Sequence, residues 1–306
     1  MFPTAQDLFA RTDDGAGGRL QTFKRWLKFK LRYFWFRQPL EATFNAMSEM
    51  GLAQVLSSDP KLLLRSTRTY LWADLPVDQR VIALQAHFAW AVRVFGVDWL
   101  THLFTVGRVQ VAQWTLKDAV VSLWIHPGYG YGREGELVLE LNLNNVPVMR
   151  SAWSVLPHEM VGVEAVGDVL VIGNLQGSQE GKDLMKELTQ LMERTRPPGI
   201  FFNIWQGLAQ AWRFVAIVGV SDRGHAYASY TSLAKRVGMN YDSLWQELGA
   251  EKKVTRNHWL LPDRWEPKAE SEVASNKRSQ LKRRNALRLD IQTSVCAWAE
   301  SVKQSS

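Results

Sequence analysis

The chain has 306 residues, 46% of them apolar and 22% charged, with a formal net charge of +7, a composition that excludes disorder over most of its length. A single cysteine, Cys296, excludes an intramolecular disulfide framework and a cysteine-based zinc ribbon. No run of roughly 18 uncharged apolar residues reads as a transmembrane helix, and the acidic start "MFPTAQDLFARTDDGAGG" lacks the basic region and apolar stretch of a secretory signal.

Residues 1–18 read as a flexible leader that ends in the joint "GAGG". The next segment, 19–110, reads as a helical subdomain. It opens with "LQTFKRWLKFKLRYFWFR", in which Phe23, Leu27, Leu31 and Phe34 follow helical spacing beside Lys24, Lys28 and Arg32, so a basic amphipathic helix is expected. Seven basic residues and no acidic one lie between Gly15 and Leu40, and six basic residues and no acidic one between Lys277 and Arg288. Helical character continues from Glu41 to about Val106, punctuated by Pro60 and Pro76.

The period then changes to two. "DAVVSLWIHP", "GELVLELNLNN" and "VPVMRSAWSVL" read as strands of an antiparallel meander, and "EMVGVEAVGDVLVIGNLQG" as two more around Gly167-Asp168. A helix from about Lys182 to Arg194 follows, then a break at Pro197-Pro198-Gly199. The helix "IFFNIWQGLAQAWR" leads into the buried strand "FVAIVGVSD". Helices are expected at "SYTSLAKRV" and "YDSLWQELG", and a basic surface helix over 266–306.

This order predicts an α+β fold: an N-terminal helical subdomain, then an acetyltransferase-like domain of the N-acyltransferase fold over 111–265, a mixed sheet with flanking helices. In that fold the turn after the central strand holds the pyrophosphate of coenzyme A on main-chain N–H groups at a helix start. Here the turn is "NLQGSQEGK", and Asn174, Gln176, Gly177, Ser178, Gly181 and Lys182 are the expected donor contacts. The usual spacing of Gln or Arg, two residues, Gly, one residue, then Gly or Ala is not kept, so an ordinary loop before a capped helix is the alternative.

At "HPGYGYGREGELVLELNLNNVPVMRSAWSVL", "VLVIGNLQGSQEGKDL", "RPPGIFFNIWQGLAQAWRFVAIVGVSDRGHAY" and "NYDSLWQELG" the sequence resembles the VirK/YbjX family of bacteria, from about residue 40 to the basic tail. The resemblance implies an association with virulence, envelope stress and resistance to cationic antimicrobial peptides, and supplies no catalytic mechanism.

Chemistry is concentrated in "GVSDRGHAYASY", at the end of the second buried strand, where open α/β cores place ligands. His225 would take a proton from an attacking amine or hydroxyl, Asp222 would orient it, and Tyr227 would return a proton to a leaving thiolate. The alternative is that Asp222 caps a turn while His225 and Tyr227 pack. No histidine stands at zinc-ligand spacing, so no metal is expected. In the basic helix, Lys24, Arg25, Trp26, Lys28 and Arg32 are candidate contacts to an anionic membrane surface. The alternatives are a single-stranded nucleic-acid groove and a helix packed on the core, and no RNA- or DNA-reading motif supports the first.

Two functions are therefore expected to compete. One is a cytoplasmic acyltransferase-like enzyme that moves an acyl group from acyl-coenzyme A or an acyl-carrier thioester to an amine or hydroxyl of an envelope component or peptide. The other is a non-catalytic virulence or envelope-stress factor, peripheral on the inner membrane or docked on a partner protein through its basic helices.

Overall fold

The computed structural model describes residues 2–13, 15–16, 18–178, 182–230, 238–264 and 273–304, without the side chain of Lys182. The helix expected at "SYTSLAKRV" falls largely outside these residues.

Part of the leader is helical: α1 (Ala5–Thr12) begins at a reciprocal cap in which Thr4 accepts from the Asp7 N–H and Asp7 accepts from Thr4, and it buries Leu8 completely. Helix α2 (Arg19–Trp35) is the expected basic helix. Helices α3 (Arg37–Glu49) and α4 (Ala53–Ser58) follow, then a 3-10 helix (Pro60–Thr67) and the long α5 (Val77–Val106). Gly96 interrupts α5 with φ +78°, and the side chain of Gln304 lies where a Cβ would stand. Glycine is needed there on both counts. Helix α5 is long and apolar enough to cross a membrane, but it is kinked and packs its apolar face on the sheet.

The sheet is large, open and mostly antiparallel. Strands β1 (Val109–Leu116), β2 (Ala119–Pro127), β3 (Leu137–Leu143), β4 (Val146–Pro157) and β5 (Asp168–Ile172) form a meander. The short β6 (Gln176–Gly177) pairs back on β4. Helices α7 (Lys182–Leu191) and α8 (Pro197–Trp212) carry the chain to β7 (Ala216–Val220), which lies parallel to β5 with Val169 opposite Ala216 and Ile172 opposite Gly219. A hairpin of β8 (Lys252–Thr255) and β9 (His258–Leu261) completes the order β1-β2-β3-β4-β5-β7-β9-β8. A parallel neighbour requires a crossover, and α7 and α8 supply it.

Four expectations need correction. The first half of "EMVGVEAVGDV" is not a strand but α6 (His158–Val161) and a loop. Pro197-Pro198-Gly199 is the first turn of α8 rather than a break, because Pro at the first helical position lacks only an N–H that has no helical acceptor. Strand β1 and the β8–β9 hairpin were not expected at all. The tail helix α10 (Ser275–Ser301) is only partly a surface helix, since it lays Ile291, Val295 and Ala299 onto α8.

The tryptophan-rich composition is explained by the core. Trp90 of α5, Trp153 of β4 and Trp212 of α8 pack edge-on or stacked with ring centroids 5.3–5.9 Å apart, and the Trp212 indole N–H donates to the Ala299 carbonyl of α10. Every residue of β3 and β7 is buried, so both sheet faces are covered there.

Candidate functional site

Strands β5 and β7 end at the same edge of the sheet, and the loops that leave them meet the β2–β3 loop. Gly173, just past β5, lies against the Glu134 carbonyl so closely that any Cβ would overlap it. This close approach is what brings the three loops together.

The turn expected to hold phosphates is bonded mainly to the sheet. Asn174 is fully buried; its Oδ1 accepts from the Ala152 N–H at 2.7 Å and its carbonyl accepts from the Ser151 hydroxyl at 3.0 Å. Gln176 and Gly177 pair with Arg150 and Met149 as β6, and the Ser178 N–H donates to the Val148 carbonyl. Gly181 and the Lys182 side chain lie outside the described residues. The Leu175 N–H donates to the Tyr241 hydroxyl at 3.3 Å.

Beyond β7, the main-chain N–H of His225 donates to the Ser221 carbonyl, which turns the imidazole inward. His225 is buried, its Nδ1 accepts from the Tyr227 N–H at 3.3 Å, and its ring stacks on Tyr241 with centroids 5.1 Å apart and planes 14° apart. With Nδ1 accepting, the proton of the neutral ring is on Nε2, 3.0 Å from Glu134 Oε1 and off the line of a good hydrogen bond. The acid beside His225 is thus Glu134, not the expected Asp222. Asp222 instead accepts from the Tyr241 N–H at 2.6 Å, where α9 (Tyr241–Glu247) begins, and its own N–H donates to Asp242. This is a capping role.

Tyr227 is half-buried, 5.6 Å from the His225 ring, with the Arg133 guanidinium over its face. Burial, and then the Glu134 charge, raise the pKa of both Tyr227 and Tyr241, so both phenols are proton donors at neutral pH. Sequence reasoning missed Glu134 and Tyr241. The motif residues "EGEL" and "NYDSLWQELG" contain them, but nothing local marks them as neighbours of a histidine.

Two cavities flank this cluster. Asn240, Ser243 and Leu244, next to Tyr241, line a groove of about 920 Å³ with Met149, Met185 and Met239, and Lys186, Arg194 and Arg196 stand at its rim. Tyr227 lines a second cavity of about 550 Å³ with the 3-10 helix and the glycine-rich β2–β3 loop. His225 touches Tyr227, which lines the second cavity, and Tyr241, whose chain neighbours line the groove.

The segment from Arg68 to Asp74 stitches the second cavity to the histidine. Leu71 takes the left-handed φ of +57° and donates its N–H to the Arg133 carbonyl at 2.7 Å. Trp72 forms a bridge with His225, and the Ala73 N–H donates to the Gly224 carbonyl. Asp74 accepts from Asn257 and pairs with Arg256.

In α2, the candidate surface residues divide between two faces. Trp26 is turned inward onto Phe9 and Phe29, so it is not on the outer face, and Arg25 is paired with Asp13 at 2.8 Å. The outer face carries Leu20, Phe23, Leu27, Leu31 and Phe34, each at least 49% exposed, flanked by Lys24, Lys28 and Arg32, which have no carboxylate partner among the described residues.

A family model described as a protein of unknown function, DUF535, matches residues 18–297. An uncharacterized protein of Haemophilus influenzae is 23% identical over 304 residues, covering 95% of this chain and 97% of its own length. The uncharacterized protein YbjX of Escherichia coli is 23% identical over 240 residues, covering 76% of this chain and 71% of its own. No solved structure matches the chain. By the extent of the family match and the likeness to YbjX, which agree with the motifs of its second half, the chain belongs to the DUF535 family.

Proposed function

We propose that this protein is an acyltransferase of the N-acyltransferase fold type, taking an acyl thioester in the groove between α7 and α9 and an amine or hydroxyl acceptor in the cavity lined by Tyr227. The observation that carries the reading is the parallel pair β5–β7 inside an otherwise antiparallel sheet, followed by the antiparallel β9 and β8. A meander that ends in a central strand, with a later strand returning beside it after a helix, is the arrangement the acyltransferase reading calls for. The groove's methionines and Leu244 offer an adaptable apolar lining to an acyl or pantetheine chain, and Arg194 stands at the rim for an anionic end.

In this reaction the acceptor nitrogen or oxygen attacks the thioester carbonyl carbon and the carbon–sulfur bond breaks. The acceptor's proton passes to the Glu134 carboxylate, which His225 Nε2–H faces, and the thiolate takes a proton from Tyr227. Asp222 positions α9 and touches neither substrate.

The test is a thermal-shift titration of the full chain with coenzyme A and long-chain acyl-coenzyme A, beside Ser243→Trp. Ser243 is exposed in the groove and its main-chain N–H, not its side chain, donates to the Asn240 cap, so an indole there fills the groove while the cap survives. A concentration-dependent rise in Tm that S243W lacks is expected. No rise at millimolar ligand abandons the thioester reading.

The outer face of α2 favours a second reading, compatible with the first: peripheral attachment to an anionic lipid surface, with the apolar stripe in the headgroup boundary and Lys24, Lys28 and Arg32 on the lipid phosphates.

A further inference from the structure

We propose that the cavity walled by the 3-10 helix, α2 and the glycine-rich β2–β3 loop is a binding site for a phosphate-bearing ligand, with Arg68, Arg133 and Lys61 as its anion contacts. This deepens the acyltransferase reading, on which the ligand's role as acceptor rests, by giving the acceptor's chemical class.

The charge inventory of the wall points to an anion. Among the described residues its cations are Arg25, Lys61, Arg65, Arg68 and Arg133, and its acids are Asp13 and Asp59. Asp13 is taken by Arg25, and Asp59 by the buried Arg65, which also reaches Glu136. Lys61, Arg68 and Arg133 have no carboxylate partner among the described residues. A recess of about 230 Å³ shares Arg25 and Arg68 with the cavity and adds Lys28 and Arg32. Arg68 is exposed to solvent, yet the surrounding protein and then the Arg32 and Arg133 charges push its pKa below the ordinary value. Like charges gathered without a counter-ion repel one another, and an anion placed among them removes that repulsion.

The geometry is that of a prepared site. Arg133 donates to the Tyr230 hydroxyl at 2.9 Å and lies over the Tyr230 ring, while Thr69 holds the same hydroxyl at 2.8 Å. The guanidinium is therefore fixed by a phenol rather than neutralised by a carboxylate, and its remaining N–H groups are available as a fork for phosphate oxygens. Gly130 and Gly132 bring main chain to the cavity surface. At about 550 Å³ the space falls within the ordinary range for small-molecule sites and far exceeds one phosphate group. The ligand is a phosphate carried on an organic body, for which Leu64, Tyr129 and Tyr227 provide apolar surface.

A soluble metabolite and a lipid headgroup share this chemistry, and the experiment separates them. Binding of pyrophosphate and of micelle-free dihexanoyl phosphatidic acid is measured on the full chain by calorimetry, with dihexanoyl phosphatidylcholine as the zwitterionic control. No thioester is present, so this test and the donor test fail independently. The expected result is binding of at least one phosphate probe, weakened about tenfold or more by Arg68→Ala or Arg133→Ala. It is unaffected by Lys117→Ala, which removes the same charge from the turn at the other end of β2. Tighter binding of the lipid probe assigns a headgroup, and tighter binding of pyrophosphate a soluble phosphate. No binding of either probe at millimolar concentration overturns the proposal, and so does equal weakening by K117A.

Discussion

His87 and Glu136 are both completely enclosed, and their protonation pulls stability in opposite directions. His87 Nδ1 accepts the Val155 N–H at 3.1 Å, which leaves the ring proton on Nε2, and burial first and Arg65 second push its pKa down to about 3. An unfolded histidine titrates near 6.5, so the stability from keeping His87 neutral is present above pH 6.5 and is lost as pH falls toward 3. Glu136 behaves in reverse: burial raises it to about 7 although Arg65 opposes the shift. The stability from its neutral form is present below its ordinary pKa near 4.5 and is lost as pH rises through 7. Urea unfolding at a series of pH values should therefore show a shallower acid limb in His87→Asn, whose amide oxygen can still accept from Val155. Glu136→Gln should be flatter between pH 4.5 and 7. Each pKa unit corresponds to about 1.4 kcal/mol, and a variant with the wild-type slope would remove that residue from the account.

At the scale of elements, α2 makes the clearest claim. Its outer stripe stands outside the buried core, so charges placed there are expected to leave folding intact and act on what the helix meets. Sedimentation with phosphatidylglycerol vesicles is expected for the wild type, declining as salt rises. Phe23→Glu with Leu27→Glu should lower partitioning by about tenfold or more, since each buried apolar side chain contributes about 1.5–3 kcal/mol. Equal sedimentation of variant and wild type would exclude the stripe as the contact. This helix was legible in the sequence because one side of a 3.6-residue period was apolar and the next side basic. Strands β2, β3 and β4 were legible from their β-branched runs and the turns between them. Strand β1 was not, because it follows directly from the end of α5 at Gly107 with no loop to mark the change. The β8–β9 hairpin is four residues a side, with Arg256 and Asn257 at its turn, too short for alternation to stand out.

At the scale of the molecule, one core of buried residues runs from Leu8 and Leu40 through the sheet to Ala299. Tryptophans from α5, β4, α8 and α10 meet in it, so indole fluorescence and far-UV circular dichroism should report one coincident unfolding transition. Two separated transitions would show that the helical first hundred residues fold as a domain of their own. The α+β order and a mixed sheet could be read from the sequence, whereas the register of β7 on β5 could not, since register is settled by packing. The site was half legible. His225 and Tyr227 stood out at a strand end, but Glu134, Arg68 and Arg133 come from distant stretches of chain and carry no local signal that they converge.

The stretch from Arg68 to Trp72 has a mechanical implication. Arg68 faces the cationic cavity and Trp72 holds the main chain of His225, with Leu71 between them clamped in a left-handed conformation that a leucine adopts only under constraint. A five-residue length of main chain thus has one end at the cavity wall and the other against the backbone of His225. On the phosphate-site proposal, an occupant that displaces Arg68 would shift the main chain of His225 with it.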